Sequence, residues 1–383
     1  MERLKKFIFP ILLVAVFAGA YFIYKIATAN HMDRLISGEK PFAVQLALKN
    51  SETNHIEHLA QMIIFPREKH ILYYFINTDA AFTEEEGKIA ELSPNQADRF
   101  ENYTDIKSSY YIYTDTDSFM RWIDLSGTLP YFLEEPAVFE NTGFQYPQGF
   151  HKFTGRQFVE FINARQKTDP GKEYLSGVER LYRAESMLLT LFWNRRSIGE
   201  KIPQSDLRSF AFSLFETNLN ADEMGSLVSY ILEKKGINSS VLEIPLELVQ
   251  KGTYYRPVNV LLVKEKRSKS IFTQFEEDLK SGKFRSDAFS VEVLNGTDIN
   301  GLARKMQQYI QDRGPLVLDT NNYAFKPHGA TLIVDRSGNV FNAEKMSELL
   351  DLKSENVFFR RVNLEVDITL IIGQDIDRKK FHI

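Results

Sequence analysis

One stretch in the last quarter of the chain, residues 291–319, combines strand, turn and helix patterns within a short distance. Val291 and Val293 alternate with polar residues, which is typical of a half-buried strand. Residues 295–298, Asn-Gly-Thr-Asp, predict a turn and a helix cap, with the glycine adopting a positive φ. Apolar residues then recur at helical spacing until Gly314 and the following proline end the helix before a second strand. The pattern predicts a strand–helix–strand unit in a small α/β domain.

The same residues resemble the start of the C-terminal domain of LytR-CpsA-Psr proteins, a family of the bacterial cell envelope. That domain opens with valine-x-valine-x-asparagine-glycine-threonine and continues with glycine-leucine-alanine, as residues 291–303 do here. The chain also closes as that domain does, with a predicted strand over residues 366–372 followed by Gly-Gln-Asp. The resemblance implies a LytR-type C-terminal domain of the βαβ type over residues 288–376, and a tail over residues 377–383.

The amino-terminal residues predict the compartment of the protein. An uncharged apolar run extends from Phe7 to Tyr24, near the lower limit of length for a helix that spans a bilayer. Basic residues precede the run, so the positive-inside rule leaves the amino end in the cytoplasm. We expect a cytoplasmic tail over residues 1–6, a transmembrane anchor over residues 7–27 and a tether over residues 28–40. The expected location is the cytoplasmic (inner) membrane, single-pass, with most of the chain exported to the periplasm or the extracellular face.

A cleaved signal peptide is the alternative interpretation of this segment. Small residues at 18–20, Ala-Gly-Ala, fit a cleavage site. The uncleaved anchor is favoured because residues 21–24 prolong the apolar stretch past that site. Both interpretations export the remainder of the chain.

The composition excludes several classes of site. The chain has no cysteine, which excludes thiol nucleophiles, thiolate metal sites and disulfides. An exported protein of this length then depends on its hydrophobic core for stability. The formal net charge of −4 is mild, so no nucleic-acid partner is predicted. The seven histidines show no metal-ligand spacing, and the sequence contains no serine nucleophile elbow or phosphate-binding glycine loop.

Strands and helices alternate from residue 41 to residue 263, which predicts an α/β fold built as a mixed sandwich. The predicted strands lie at residues 42–48, 58–64, 71–76, 110–113 and 129–132, with further strand character over 239–264. The predicted helices lie at residues 117–125, 154–165, 177–195, 207–216 and 221–234. Residues 264–287 are charged and poorly patterned, and they predict a linker with one short helix over residues 271–279.

The order of elements in this middle domain resembles the catalytic domain of LytR-CpsA-Psr proteins. Asp124 and Gly127 match the family's aspartate-x-x-glycine after a strand and a helix. Residues 161–165 overlie its tyrosine-x-arginine-x-arginine, and residues 180–184 overlie its arginine-x-x-arginine-glutamine. In that family the domain transfers a glycopolymer from a polyprenyl-pyrophosphate carrier to peptidoglycan. The resemblance implies that arginines bind the pyrophosphate and that aspartates hold a magnesium ion.

Three arginines carry this resemblance: Arg165, Arg180 and Arg183. The resemblance implies that they bind a polyprenyl-linked phosphate, since forked guanidinium groups bind phosphate oxygens in pairs. Asp79 matches the aspartate of the family's proline-arginine-aspartate, and it is the candidate metal ligand and catalytic residue. Glu57 is a further candidate ligand, together with His58 and Asp124.

The residue patterns also allow a structural interpretation of these side chains. Arg180 and Arg183 lie three positions apart on one predicted helix face, where salt bridges to Glu179 or Glu185, or a solvated surface, are common. Asp79 fits a turn residue, and Asp124 fits a helix end.

Several family positions are substituted in this chain. Asn163, Gly177 and Ala184 stand where the family has arginine, aspartate and glutamine. Loss of charged groups that stabilise a pyrophosphate leaving group lowers catalysis severely. We therefore predict a non-catalytic scaffold or polyprenyl-phosphate-binding protein of cell-envelope assembly. The alternative is an active, magnesium-dependent phosphotransferase that moves a glycopolymer from a polyprenyl-pyrophosphate carrier to peptidoglycan.

Overall fold

The computed structural model of the protein describes residues 29–139, 141–168, 172–201, 205–233, 236–253, 256–285, 288–326, 328–362, 365–379 and 381. The predicted anchor over residues 7–27 lies outside these described residues. Within them, no helix combines the length and the apolar character that crossing a bilayer requires.

The strands are β1 (Phe42–Lys49), β2 (Ile56–Phe65), β3 (His70–Ile76), β4 (Ser108–Asp115), β5 (Leu129–Leu133), β6 (Ala137–Phe139), β7 (Phe144–Tyr146), β8 (Gly149–Phe153), β9 (Glu216–Thr217), β10 (Asn238–Glu243), β11 (Leu246–Thr253), β12 (Arg256–Val263), β13 (Ser290–Asn295), β14 (Leu316–Asn322), β15 (Leu332–Asp335), β16 (Val357–Phe359) and β17 (Ile368–Ile372). The helices are α1 (His31–Ser37), α2 (Pro94–Ala97), α3 (Glu101–Thr104), α4 (Thr116–Ser126), α5 (Gly155–Asn163), α6 (Glu173–Trp193), α7 (Arg195–Lys201), α8 (Ser205–Ser213), α9 (Ala221–Glu233), α10 (Glu265–Lys280), α11 (Leu302–Gln311) and α12 (Val340–Leu350).

The middle domain is built on a mixed six-stranded sheet in the order β10-β3-β2-β1-β4-β9. Strand β1 pairs antiparallel with β2 and parallel with β4, while β3 pairs antiparallel with β2 and parallel with β10. Strands β2 and β3 are apolar and buried along nearly their whole length, because the sheet is covered on both faces. Helices α1, α6 and α9 pack on one face, and α10 packs on the other. The predicted α/β class and mixed sandwich are confirmed.

The charged stretch predicted to be a linker is mostly the helix α10, which belongs to the core of the middle domain. Its residues Phe272, Phe275 and Leu279 are buried on one face, and the charged side chains lie on the other. Phe272 stacks on Tyr74, whose hydroxyl donates to the carbonyl oxygen of Ser268 at 3.1 Å. The prediction of a linker here was wrong because a strongly charged outer face hid a narrow apolar stripe.

The predicted tether also contains ordered structure. Asn30 caps helix α1 through a reciprocal pair of hydrogen bonds with Asp33. Met32 is buried, and the Asn30 amide donates to the Ser226 hydroxyl on α9 at 2.9 Å. This segment therefore packs against the middle domain.

The C-terminal domain is a five-stranded sheet in the order β14-β13-β17-β15-β16, with α11 and α12 packed against it. Strand β13, helix α11 and strand β14 form the strand–helix–strand unit, since β13 and β14 pair in parallel. Strand β17, predicted from residues 366–372, lies at the centre beside β13. The predicted βαβ-type domain is confirmed.

The turn after β13 uses its glycine differently from the sequence prediction. Gly301, at the start of α11, has a φ of +77°, whereas Gly296 is not among the glycines with a positive φ. A Cβ at Gly296 would lie 2.6 Å from the carbonyl oxygen of Ile372 and 2.9 Å from Cβ of His328. Glycine is required at this position because the chain approaches the end of β17 closely.

Candidate functional site

A polar pocket forms where the end of β3, the start of β2 and the helices α5 and α6 meet. Asp79 follows β3 in a turn that the Asn77 side chain stabilises by accepting from the Asp79 amide at 3.0 Å. The Thr78 hydroxyl donates to the carbonyl oxygen of Glu57 at 2.9 Å and fixes this turn against β2. Gly177 on α6 leaves the space that the Asp79 carboxylate occupies, since a Cβ there would lie 2.5 Å from Oδ2.

Two of the three predicted arginines converge on this turn. Arg165 binds Asp79 through two parallel hydrogen bonds of 2.9 and 3.0 Å. Arg180 donates to Glu57 Oε2 at 2.6 Å and to the Thr78 hydroxyl at 2.8 Å, and its Nη2 lies 3.7 Å from Asp79 Oδ2. The structure therefore joins Arg165, Arg180, Asp79 and Glu57 in one ion-pair network, in place of the salt bridges to Glu179 or Glu185.

The network determines the charge state of Asp79. Burial alone would raise the pKa of this carboxyl. The hydrogen bonds from Arg165 and the charges of Arg180, Arg165 and Lys88 outweigh burial and lower the pKa. Burial lowers the pKa of the Arg180 guanidinium. Asp79 is therefore a carboxylate at neutral pH, held by cations on three sides.

Arg183 does not line this pocket. Its Nε donates to the carbonyl oxygen of Phe161 at 2.9 Å, and its Nη2 donates to that of Ala164. The guanidinium carbon lies 4.7 Å from the centre of the Phe139 ring, and burial lowers the pKa of the side chain to about 10. Arg183 thus satisfies the carbonyls at the C-terminal end of α5 and orients the chain that leads to Arg165.

Asp124 is not among the residues that line the polar pocket. Its Oδ1 accepts from the Gly155 amide at 2.7 Å and joins the end of α4 to the start of α5. The helix-end interpretation of this residue is confirmed.

The polar pocket has a volume of about 620 Å³. Six acidic and four basic side chains line it: Glu52, Glu57, Asp79, Glu91, Asp117 and Glu160, with Lys88, Arg156, Arg165 and Arg180. Its arginines are therefore already paired with carboxylates, and an entering anion must replace one of these partners.

An apolar cavity lies next to the polar pocket. The sequence did not reveal this cavity. Its larger part, about 660 Å³, lies between the sheet and helices α4 and α6–α9, and a smaller part of about 170 Å³ extends toward β2. The two parts share the lining residues Ile112, Phe119, Leu188, Leu191 and Phe215. These shared residues place the two parts next to each other within the middle domain.

His58 and Asn163 lie between the apolar and polar spaces. His58 lines the smaller part of the apolar cavity, and Asn163 lines the polar pocket. Their side chains hydrogen-bond, with His58 Nε2 3.0 Å from Asn163 Oδ1. Burial and the charge of Arg180 lower the pKa of His58 to about 3, so the imidazole is neutral. This neutral pair is the boundary at which an amphiphilic ligand would change from polar to apolar surroundings.

The carboxylates of the pocket do not form a complete magnesium-binding set. Among the described residues, no three His, Asp or Glu side chains are grouped so as to hold a metal ion. Glu57 and Asp79 both contact the Arg180 guanidinium, and both oxygens of Asp79 are bound by Arg165. A divalent ion prefers oxygen ligands that are free to coordinate it.

Comparisons with known proteins agree with the sequence resemblance. Residues 288–375 match a family model described as LytR cell envelope-related transcriptional attenuator. The recognition of a LytR-type C-terminal domain, and with it the LytR-CpsA-Psr resemblance, is confirmed. No curated protein matches the chain.

Solved structures are similar over 63% of the chain at low identity. B. subtilis TagV is 14% identical, with 63% of this chain and 98% of that chain covered and a TM-score of 0.47. A LytR-Csp2A-Psr enzyme from Actinomyces oris is 12% identical, with coverages of 63% and 90% and a TM-score of 0.47. TagT bound to LI-WTA is 15% identical, with coverages of 63% and 92% and a TM-score of 0.47.

Proposed function

We propose that this protein is a membrane-anchored cell-envelope protein that binds a polyprenyl-linked phosphate without catalysing its transfer. The observation that supports this function is the adjacency of two spaces: an arginine-lined polar pocket and a large apolar cavity, separated by His58 and Asn163. A lipid-linked phosphate has the matching chemistry, a charged head joined to a long hydrocarbon chain.

Arg165 is the residue best placed to bind the phosphate head. Its side chain is 41% exposed, whereas that of Arg180 is 4% exposed. A guanidinium that binds a carboxylate through two parallel hydrogen bonds binds two phosphate oxygens in the same geometry. The phosphate would thus replace Asp79 as the partner of Arg165, while Arg180 stays fixed by Glu57 and Thr78 and supplies positive charge.

The apolar cavity fits the hydrocarbon chain. Its volume of about 660 Å³ lies within the range of roughly 300–1,000 Å³ that is usual for ligand sites. Each CH₂ group moved from water into such a space contributes about 0.8 kcal/mol. Several isoprene units would therefore supply most of the affinity, and the arginines would select for a phosphate head.

The protein does not catalyse phosphoryl transfer in this proposal, because the carboxylates that could bind a metal ion are already paired with arginines. Phosphoryl transfer from a pyrophosphate needs its developing charge stabilised, commonly by a divalent ion. Asp79 and Glu57 are both bound by arginine, and the family aspartate at the Gly177 position is missing. Magnesium would have to displace Arg165 to reach Asp79.

An active transferase is the second candidate, and one observation favours it. Glu57 accepts a hydrogen bond from Nη1 of Arg180, and Asp79 Oδ2 lies 3.7 Å from Nη2 of the same side chain. Two carboxylates are therefore close together in the pocket. Purified protein with a lipid-pyrophosphate donor and Mg²⁺ should show no phosphate release. Release that disappears in Asp79→Ala would establish the transferase and refute the non-catalytic proposal.

Binding to vesicles tests the proposed ligand directly. Phosphatidylcholine vesicles that contain undecaprenyl phosphate should bind the exported region, residues 28–383, and plain phosphatidylcholine vesicles should not. Arg165→Gln should lower the affinity by tenfold or more, because the exposed guanidinium group that would bind two phosphate oxygens is lost.

Arg156→Gln is the matched control for this experiment. Arg156 also lines the pocket, but its side chain is 81% exposed, and among the described residues its ion pair is the surface pair with Glu160. Its removal should leave the affinity within about twofold. Equal affinities of the wild type and Arg165→Gln would contradict the assignment of the head group to this pocket.

A further inference from the structure

Helix α6 connects the polar pocket to the C-terminal domain. Arg180 lies in the first half of the helix, at the pocket. Glu185 and Ser186 follow five and six residues later, about 8 Å further along the helix axis, and contact the C-terminal domain. Trp193, the last residue of α6, donates from its indole to the carbonyl oxygen of Ser354 at 2.9 Å. One helix is therefore held at three points by the other domain.

Arg361 of the C-terminal domain makes the central contact with α6. Its Nε donates to Glu185 Oε2 at 3.2 Å, and its backbone amide donates to the Ser186 hydroxyl at 2.8 Å. Its Nη2 donates to Glu243 Oε1 on β10 at 3.0 Å. Its Nη1 donates to the carbonyl oxygens of Arg336 and Ser337. The guanidinium thus joins α6, β10 and its own domain at one point.

The positive charge of Arg361 favours the ionised form of the carboxyl groups around it. Glu185 is completely buried, and the guanidinium of Arg361 binds both its Oε2 and Glu243 Oε1, which places the two carboxyl groups close together. Burial raises the pKa of both, and the positive charge of Arg361 opposes this. The other titratable groups that face the cluster are Tyr182 on α6 and Asp335 on β15, and burial raises the pKa of Asp335 to about 7. Without Arg361, a buried carboxylate would lack a cationic partner.

We propose that Arg361 is a positioning residue for the phosphate pocket: by holding α6 at Glu185, it keeps Arg180 against Glu57 and Thr78. This inference rests on the proposed lipid-phosphate site and gives the C-terminal domain a role in that site. Helices are stiff over this length, so a shift at Glu185 is transmitted to Arg180, little more than one turn away. Docking of the C-terminal domain and binding of the phosphate are then coupled.

The adjacent residue, Arg360, provides a matched control. It also joins the two domains, through Glu134 at 2.8 Å and Glu135 at 2.6 Å. These acidic residues follow β5 and are not part of α6. Arg360→Gln therefore weakens the domain contact without releasing α6.

The experiment compares Arg361→Gln and Arg360→Gln in the exported region, residues 28–383, with the undecaprenyl phosphate vesicles described above. Arg361→Gln should lower the affinity by tenfold or more at pH 7.5, and Arg360→Gln should lower it by less than threefold. At pH 5.5 the deficit of Arg361→Gln relative to wild type should shrink, because burial raises the pKa of Glu185 and Glu243 and their protonation removes the buried negative charge. Equal deficits in the two variants, or a deficit that does not change with pH, would overturn the proposal.

Hydrogen exchange separates this inference from the proposed function. In Arg361→Gln without ligand, the amides of residues 178–186 should exchange faster than in Arg360→Gln and wild type. If wild-type protein fails to bind the vesicles, the lipid-phosphate proposal is wrong, and exchange alone decides the positioning of α6. Unchanged exchange over residues 178–186 in Arg361→Gln would refute the positioning role, whatever the vesicles show.

Discussion

A buried ion cluster between the two domains leads to a quantitative prediction for Glu134→Gln. Glu134 follows β5 and is 9% exposed. Its two oxygens accept from Arg336 at 2.7 and 2.5 Å, and Oε2 also accepts from Arg360 at 2.8 Å. Glutamine preserves the shape of the side chain but removes the charge, which leaves Arg336, 6% exposed, without a carboxylate partner. The substitution should therefore destabilise the contact between the domains.

The pKa of Glu134 gives the magnitude. Burial alone would raise it, but the charges and hydrogen bonds of Arg336 and Arg360 lower it to about 2, from 4.5 for an unperturbed glutamate. Since one pKa unit corresponds to about 1.36 kcal/mol, the cluster contributes about 3 kcal/mol to the free energy of unfolding at neutral pH. Removal of one partner of a buried ion pair typically costs about 3–5 kcal/mol, which agrees.

Urea unfolding followed by tryptophan fluorescence is the assay. Trp193 contacts Ser354 across the same domain boundary, so its emission reports separation of the domains. Glu134→Gln should lower the free energy of unfolding by about 3 kcal/mol at pH 7. Glu135→Gln is the control, because Glu135 is 64% exposed and its ion pair with Arg360 should contribute less than about 1 kcal/mol.

The pH dependence provides the refutation. The pKa of Glu134 is lower in the folded protein than in the unfolded chain, so its contribution is complete above about pH 5 and is lost as the pH falls toward 2. The difference between wild type and Glu134→Gln should therefore narrow between pH 4.5 and 3. A difference that stays constant over this range, or equal effects of Glu134→Gln and Glu135→Gln, would refute this account of the cluster.

Two further predictions concern a helix glycine and the amino terminus. Gly177→Ala should lower the melting temperature despite the better helix propensity of alanine, because its Cβ would lie 2.5 Å from Asp79 Oδ2. Gly225 lies in α9, where an added Cβ would meet no described atom within 4 Å outside the helix's own backbone and the neighbouring residues. Gly225→Ala should therefore stabilise the protein by about 0.5–1 kcal/mol. Stabilisation by both substitutions would contradict the contact of Gly177 with Asp79. Amino-terminal sequencing of the membrane-fraction protein should show the uncleaved chain, and a mature protein that starts at Tyr21 would establish a signal peptide.

The sequence predicted the elements that depend on neighbouring residues. The strand–helix–strand unit from β13 to β14 was readable because residues two to four positions apart determine strand and helix patterns. The same holds for β1, β3 and α4, which lie within a few residues of their predicted ends. The error at α10 arose because charged residues outnumber its three buried apolar residues.

The roles of the site residues were only partly predictable. Arg165, Arg180 and Asp79 were found from a family pattern, but their partners lie far away in the chain: Asp79 is 86 residues from Arg165, and Glu57 is 123 residues from Arg180. No local pattern distinguishes Arg180, which faces the pocket, from Arg183, which binds backbone carbonyls three residues later on the same helix.

By itself, the sequence determined the α/β class, the alternation of strands and helices and the LytR-type C-terminal domain, because these follow from periodicity and short motifs. The tertiary structure decided which carboxylates pair with the arginines, how Arg361 holds α6 and where the apolar cavity lies. The cavity is lined by apolar residues such as Phe119, Leu188 and Phe215, the same residue types that form a filled hydrophobic core. Whether such side chains fill a space or leave it open depends on how helices that are far apart in the sequence pack against the sheet. No local sequence pattern determines this packing.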